Sequence, residues 1–219
     1  MTFESGPSVR PGVALLFVVS GPSGAGKGTA MRHLLTAVPA IVHVPTYTTR
    51  ARRSGEQDGV DYRFVERDKF ESLVKAGAMV EYALVHGQWY GTPSANLNLA
   101  IRRGLHLLLD IDIQGVRQIR ARLPEVVSIF VVPPTGARII EQLKGRGSES
   151  QDELERRIAT ARTELTAVDE FDHIVVNDRL EVAVDTVREI VFGGDQLLEK
   201  DLVPDSSLIS NLIEELKQV

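Results

Sequence analysis

Short, unbroken apolar runs alternate along this chain with stretches in which apolar residues recur every three or four positions. Runs at 14–20, 105–113, 126–132 and 173–177 have the length and continuity of strands buried on both faces, and 41–44 is a candidate fifth. Between them the spacing turns helical. After Lys27, the residues Met31, Leu34, Leu35 and Val38 recur at i, i+3, i+4 and i+7 until Pro39 stops the helix. Leu154, Ile158, Ala161 and Leu165 mark another helix, with Ser150 and Glu153 in capping-box spacing at its start. Strands alternating with helices predict an α/β fold built on a doubly wound parallel sheet of about five strands.

Three segments depart from this alternation. Across 46–93 arginine, glycine and aromatic residues become frequent, and helical spacing returns only at 70–78; the stretch reads as an insertion over the carboxyl edge of the sheet. A polar stretch at 144–151, containing "GRGSES", joins two helices. The first twelve residues, "MTFESGPSVRPG", are small and turn-forming, as in a flexible leader. At 205–219, Leu208, Ile209, Leu212, Ile213, Leu216 and Val219 share one helical face, which reads as packing on the body or on a sister subunit. A lipid-binding helix would carry more basic residues. There is no internal repeat.

Composition narrows the function classes. A chain of 219 residues with 43% hydrophobic and 25% charged residues is long enough for one well-buried core. A formal charge of −5 argues against broad nucleic-acid binding, which needs a basic surface. No cysteine is present, so disulfides and thiolate metal sites are excluded, and the five histidines have no ligand-like spacing. The longest apolar run, 13–19, is far short of a membrane span. Arg10 ahead of that run faintly resembles a signal peptide, but the run leads into a glycine-rich turn instead of a cleavage site; a cytoplasmic protein is expected.

That turn is the strongest chemical signal. "SGPSGAGKGT" places Gly21, Pro22, Ser23, Gly24, Ala25, Gly26 and Lys27 between a strand and a helix, in the spacing of a phosphate-binding P-loop. Small residues let successive backbone N–H groups curve round phosphate oxygens, and the helix N-terminus adds partial positive charge. Lys27 is placed to reach the terminal phosphates. Gly28 stands where a metal-facing hydroxyl is usual, with Thr29 following. "DIQG", 112–115, passes for a GTPase D-x-x-G, yet no Asn-Lys-x-Asp guanine motif appears. Asp110 and Asp112 lie two apart at the end of an apolar run, so both carboxylates would project from one strand face.

The insertion carries a second candidate anion site. Arg50, Arg52 and Arg53 cluster ahead of Glu56 and Tyr62; arginine forks suit a phosphate dianion and a tyrosine hydroxyl adds a hydrogen bond. A solvated basic loop is the plainer reading of this stretch alone. In "VEYALVHGQWYGTP", Glu81 lies among apolar residues, with Tyr90 and Thr92 nearby. A carboxylate accepts from guanine N1–H and the exocyclic amine together, a donor pair that adenine lacks on that edge. Thr46 and Thr92 could serve the O6 atom or the remaining amine hydrogen. By itself, Glu81 would read as an exposed residue between helix and strand.

Taken in order, "SGPSGAGKGT", "TTRARRSGEQDGVDYRFV", "EYALVHGQWYGT", "LLLDIDIQG", "FVVPP", "GRGSES", "RRIATARTEL" and "IVVND" resemble guanylate kinase, from about Leu15 to Val191. The resemblance implies a P-loop core at 13–40, 94–135 and 156–192, a GMP-binding insertion at 41–93 and a small helical lid at 136–155, between a leader at 1–12 and a tail at 193–219. It implies Mg²⁺-dependent transfer of the ATP γ-phosphoryl group to GMP, and to dGMP, giving ADP and GDP. Residue by residue, Arg50, Arg53, Tyr62 and Tyr90 match positions that hold the GMP phosphate, and Glu56 one that buttresses that loop. Thr46, Glu81, Thr92 and Asp112 match positions that read or orient guanine. Arg146 and Arg157 match lid and lid-flanking arginines that close on ATP, and Asn177 falls near the adenine ribose. Catalysis would fall to Lys27, Arg50, Arg146 and Arg157, with Asp110 ordering the Mg²⁺ water shell; direct metal contact by Thr29 is left open. Many members have serine at the positions of Thr46 and Gly28, and Pro45 and Arg52-Arg53-Ser54 also depart from the usual pattern. The expected partners are ATP and GMP, with no nucleic acid and no membrane, and with room for a homo-oligomer through the C-terminal helix. Two rivals remain: a catalytically silent interaction domain of this fold, and a P-loop kinase with a different phosphorylated acceptor.

Overall fold

The computed structural model describes residues 15–102, 105–144, 151–192 and 206–218. The leader, residues 145–150 with Arg146 and Ser150, residues 193–205 and Val219 lie outside the described residues. The chain begins with β1 (Leu16–Ser20), α1 (Lys27–Ala37) and β2 (Ile41–His43). Next come β3 (Thr46–Thr48), β4 (Tyr62–Phe64), α2 (Arg67–Lys75), β5 (Met79–Val85) and β6 (Gln88–Pro93). The elements α3 (Ser94–Arg102), β7 (His106–Asp110), α4 (Ile113–Arg122) and β8 (Val127–Val132) follow. Last are α5 (Gly136–Lys144), α6 (Gln151–Leu165), β9 (His173–Val176), α7 (Leu180–Phe192) and α8 (Ser206–Glu215).

Five strands share one sheet in the order β2-β7-β1-β8-β9, as the alternation of apolar runs and helices predicts. A second sheet, β4-β3-β6-β5, occupies the insertion. It is antiparallel at β3–β6 and β5–β6 and parallel at β3–β4. By contact the chain divides into two compact units. One is formed from Ala14–Ser20 and Pro39–Ser128, the other from Gly21–Val38 and Ile129–Val219.

In the first unit, β7 pairs in parallel with both β1 and β2. Its Leu107, Leu108 and Leu109 are fully buried, which is why the run is apolar at every position and does not alternate. β5 behaves differently. Past a register shift between Met79 and Glu81, Glu81 and Ala83 point inward while Tyr82 and Leu84 are exposed, the two-residue period of a half-buried strand. α4 packs on β5 and fastens its open edge. Gln118 Oε1 accepts the Tyr82 N–H at 3.2 Å, Gln118 Nε2 donates to the Tyr82 carbonyl at 2.7 Å, and Arg122 Nη1 donates to the Met79 carbonyl at 3.2 Å. Side chains thus satisfy backbone groups that an edge strand leaves unpaired.

The structure corrects two boundaries. The strand expected at 105–113 ends at Asp110, because Asp112 is the N-cap of α4 and its Oδ1 accepts the Gly115 N–H at 2.8 Å. Asp110 and Asp112 are therefore not neighbours on one strand face. The helix expected at 70–78 is α2, whose polar first turn, Arg67-Asp68-Lys69, masks its start. The candidate fifth strand is β2, Ile41–His43, which pairs with β7, and the second sheet begins at Thr46.

In the second unit, α1 lies against α7, with Ala30, Met31 and Leu34 buried on one helix and Ala183, Val184 and Val187 on the other. The anticipated positions Leu154, Ile158, Ala161 and Leu165 form the buried face of α6. α8 packs on α5 and α6 through Leu212 and Leu216, both buried, and its Glu215 Oε2 accepts the Gly136 N–H at the start of α5 at 2.7 Å. Phe130 of β8 is fully buried with its ring 4.7 Å from that of Phe171. Phe130→Ala is expected to lower the stability of the protein by about 3–5 kcal/mol through lost transfer energy and a residual cavity, measured as a shift in the urea unfolding midpoint.

Candidate nucleotide-binding sites

The phosphate cradle lies in the second unit. Gly26 is the N-cap of α1 in a left-handed conformation, φ 78°, and a Cβ there would come within 2.5 Å of Asn177 Nδ2. Gly21, φ 142°, has the Val131 carbonyl pressed against the face where a Cβ would stand. Both positions therefore require glycine on conformational and on steric grounds. Lys27 Nζ donates to the carbonyls of Gly21 and Pro22, folding the ammonium back over its own loop. Asn177, just past β9, donates from Nδ2 to the Ala25 carbonyl at 2.9 Å. Glu164 Oε2 accepts the Ser23 N–H at 2.9 Å. Neither brace is legible from the loop sequence, because both partners lie more than a hundred residues away in the chain. Gly28 and Thr29 are exposed on the first turn of α1, and a Cβ at Gly28 would meet open space. Arg157 is buried within α6. Arg146 lies outside the described residues.

The residues expected to hold the acceptor lie in the first unit, and most of them sit on the second sheet. Arg50 is held on several sides. It donates to Glu56 Oε1 at 2.7 Å and to Oε2 at 3.1 Å, and from Nε to the Tyr90 hydroxyl at 3.1 Å. Its guanidinium carbon lies 5.4 Å from the Tyr62 ring centre and 5.7 Å from that of Phe64, a cation–π arrangement. Glu56 Oε2 also accepts the Arg53 N–H at 2.7 Å, while the Arg53 side chain is exposed. Burial alone would raise the Glu56 pKa, but the bonds from Arg50 and Arg53 outweigh it and hold the carboxyl below its usual range. The same pairing, with Tyr90, raises Arg50 further despite its partial burial. Burial, reinforced by the charge of Asp110, pushes the Tyr62 phenol up, so its proton stays in place.

The same sheet buries three further polar residues. Glu81 is 2% exposed, Thr46 3% and Thr92 0%. Glu81 and Thr92 are cross-strand partners, and the Thr92 hydroxyl donates to Glu81 Oε1 at 2.6 Å. The Thr46 hydroxyl is buried with no hydrogen-bond partner. Glu81 is thus a core carboxylate, not the exposed residue of the plainer reading. Burial pushes its pKa up to about 7, with the Thr92 bond opposing and the neighbouring charge of Asp112 adding to the rise. Burial raises Asp112 as well, against the Gly115 N–H that lowers it. The buried Glu81 carboxylate and the orphaned Thr46 hydroxyl together suit a ligand that presents several polar groups along one edge.

With this geometry in hand, comparison with known proteins is direct. The guanylate kinase family profile matches residues 14–193. A guanylate kinase of Rhodococcus jostii is 42% identical over 198 residues, covering 90% of this chain and 95% of the relative. One from Rubrobacter xylanophilus is 45% identical over 184 residues, covering 82% and 96%. The crystal structure of guanylate kinase from Anaplasma phagocytophilum superposes with a TM-score of 0.66 at 34% identity, covering 82% of this chain and 85% of that one. The fold and the loop define a P-loop kinase of the α/β class. The chain belongs to the guanylate kinase family.

A buried acid whose folded pKa stands above its unfolded value of 4.5 favours folding below about pH 4.5, and that contribution is lost as pH rises to about 7. Glu81→Gln is therefore expected to raise the melting temperature relative to the parent at pH 8, with the difference shrinking toward pH 5. Melting curves across that range check it.

Proposed function

We propose that this protein transfers the γ-phosphoryl group of ATP to GMP, giving ADP and GDP. The observation that carries the acceptor assignment is the buried Glu81 carboxylate, bonded to Thr92 on one oxygen and set near the unpartnered Thr46 hydroxyl. Guanine supplies partners for these groups: the N1–H and amine for Glu81 and Asp112, and an O6 acceptor for a threonine hydroxyl. Adenine, with an unprotonated N1, would leave the carboxylate unpaired, a penalty that is large in a desolvated site.

The acceptor phosphate is already anionic near neutral pH, so no general base is needed; catalysis here is alignment and charge neutralisation. In this reading Arg50, Arg53, Tyr62 and Tyr90 hold the GMP phosphate, with Glu56 fixing the Arg50 fork in advance. The amides of the loop at Gly21–Thr29 and the Lys27 ammonium, released from its own carbonyls, hold the ATP phosphates, and Arg146 and Arg157 add cations on the donor side. Asn177 serves ATP by bracing the loop through Ala25. The first turn of α1 suits Mg²⁺ in its donor chemistry: Thr29 is exposed with a hard hydroxyl oxygen, and the site at Gly28 is open. Thr29 and, through water, Asp110 are the residues that would attend the ion, which would supply positive charge to the ATP phosphates. Lid closure by the arginines would keep water from competing with GMP.

A coupled assay offering GMP, dGMP, AMP, CMP and UMP with ATP tests this reading. GMP is expected to be preferred; preference for AMP, or no turnover with any of them, would overturn it. Lys27→Ala should lower kcat by at least about 100-fold, the scale seen when a single transition-state donor is lost. Glu81→Ala should raise the KM for GMP by about tenfold or more and leave that for ATP within about twofold. Equal losses on both substrates would count against the assignment.

A further inference from the structure

Gly115 closes the "DIQG" tetrapeptide, and the proposed reaction gives it no role. It occupies the third position of α4 with an ordinary helical backbone, so no left-handed turn demands glycine there. Alanine is the better helix former at such a position. What distinguishes the site is its neighbour. A Cβ on residue 115 would come within 2.6 Å of Glu81 Oε2, 3.2 Å of the Glu81 carboxyl carbon and 3.3 Å of Asp112 Oδ1. Contacts below 3.0 Å are essentially never tolerated by a real Cβ, so something must move.

The surroundings decide what moves. α4 is tied to β5 by residues on the same helical face, three and seven positions beyond Gly115. Gln118 holds the Tyr82 N–H and carbonyl, and Arg122 holds the Met79 carbonyl. Retreat of the helix would break all three bonds at an otherwise unpaired strand edge. The Glu81 backbone is fixed in turn by its register against Thr92. The remaining freedom lies in the Glu81 carboxyl group, whose Oε1 would have to leave the Thr92 hydroxyl as the group swings away from residue 115.

We infer that the absence of a side chain at Gly115 sets the position of the Glu81 carboxylate, making Gly115 a positioning residue that determines how sharply the site reads the guanine edge. This rests on the assignment of Glu81 to guanine. Inosine monophosphate is the useful probe: it presents N1–H but lacks the exocyclic amine, so the ratio of kcat/KM for GMP over inosine monophosphate reports the amine contact alone.

The experiment is a double-mutant cycle with Gly115→Ala, Glu81→Ala and the combination, measuring kcat/KM for both acceptors, the KM for ATP and the melting temperature. Gly115→Ala is expected to lower kcat/KM for GMP by about tenfold and to shrink the GMP preference. The KM for ATP should stay within about twofold and the melting temperature should not fall. In the Glu81→Ala background the same substitution should change GMP use by less than about twofold, because its target is gone. Equal losses in both backgrounds, an unchanged GMP preference in Gly115→Ala, or a collapse of folding or ATP use would each overturn the inference while leaving the guanine assignment intact. An unchanged preference in Glu81→Ala would bring down that assignment, and this inference with it.

Discussion

A carboxylate on the inward face of a strand is the constraint around which the acceptor unit is organised. Water would solvate Glu81 far better than its buried place on β5 does, and that burial is the main cause that pushes its pKa up. Thr92 offsets part of it from across the sheet. The Thr46 hydroxyl is also buried, without a hydrogen-bond partner. In the proposed function stability is held back where selectivity is needed, since an ordinary core residue at position 81 would pack well and recognise nothing.

The residues proposed to bind phosphate meet a different requirement, that of arranging charge before a substrate arrives. Arg50 is locked by Glu56, Tyr90 and two aromatic faces, so its fork need not be ordered on binding. In the other unit the loop is shaped from outside by Asn177 and Glu164, while Lys27 waits on carbonyls of its own turn. Preorganisation of this kind counts for most where two mutually repelling anions must meet end to end.

How much of this could be read from the chain depends on where the physical signal resides. The central strands were plain because burial on both faces leaves nothing but apolar side chains, as in Leu107–Leu109. The second sheet was not. Its three-residue strands "TYT" and "YRF" are too short for a period to register, and β5 carries Glu81 where alternation leads one to expect an apolar residue. Loop and arginine cluster declared themselves by residue type, yet the pairing of Arg50 with both Glu56 and Tyr90 depends on the hairpin that returns β6 beside β3. The end of β7 was misplaced because "LLLDIDI" continues its apolar rhythm straight through the turn into α4. The contacts of Asn177, Glu164, Gln118 and Gly115 are with residues distant in the chain, and no local pattern names those partners.

The clasp between Glu215 and Gly136 carries a practical lesson for anyone shortening this protein. Trimming the chain ahead of α8 would strip an acceptor from the opening amide of α5 and bare the apolar strip now shielded by Leu212 and Leu216. Such a truncated product would be prone to self-association and would lose the brace on α5, whose far end leads into the segment bearing Arg146. Purification tags are best kept off this terminus.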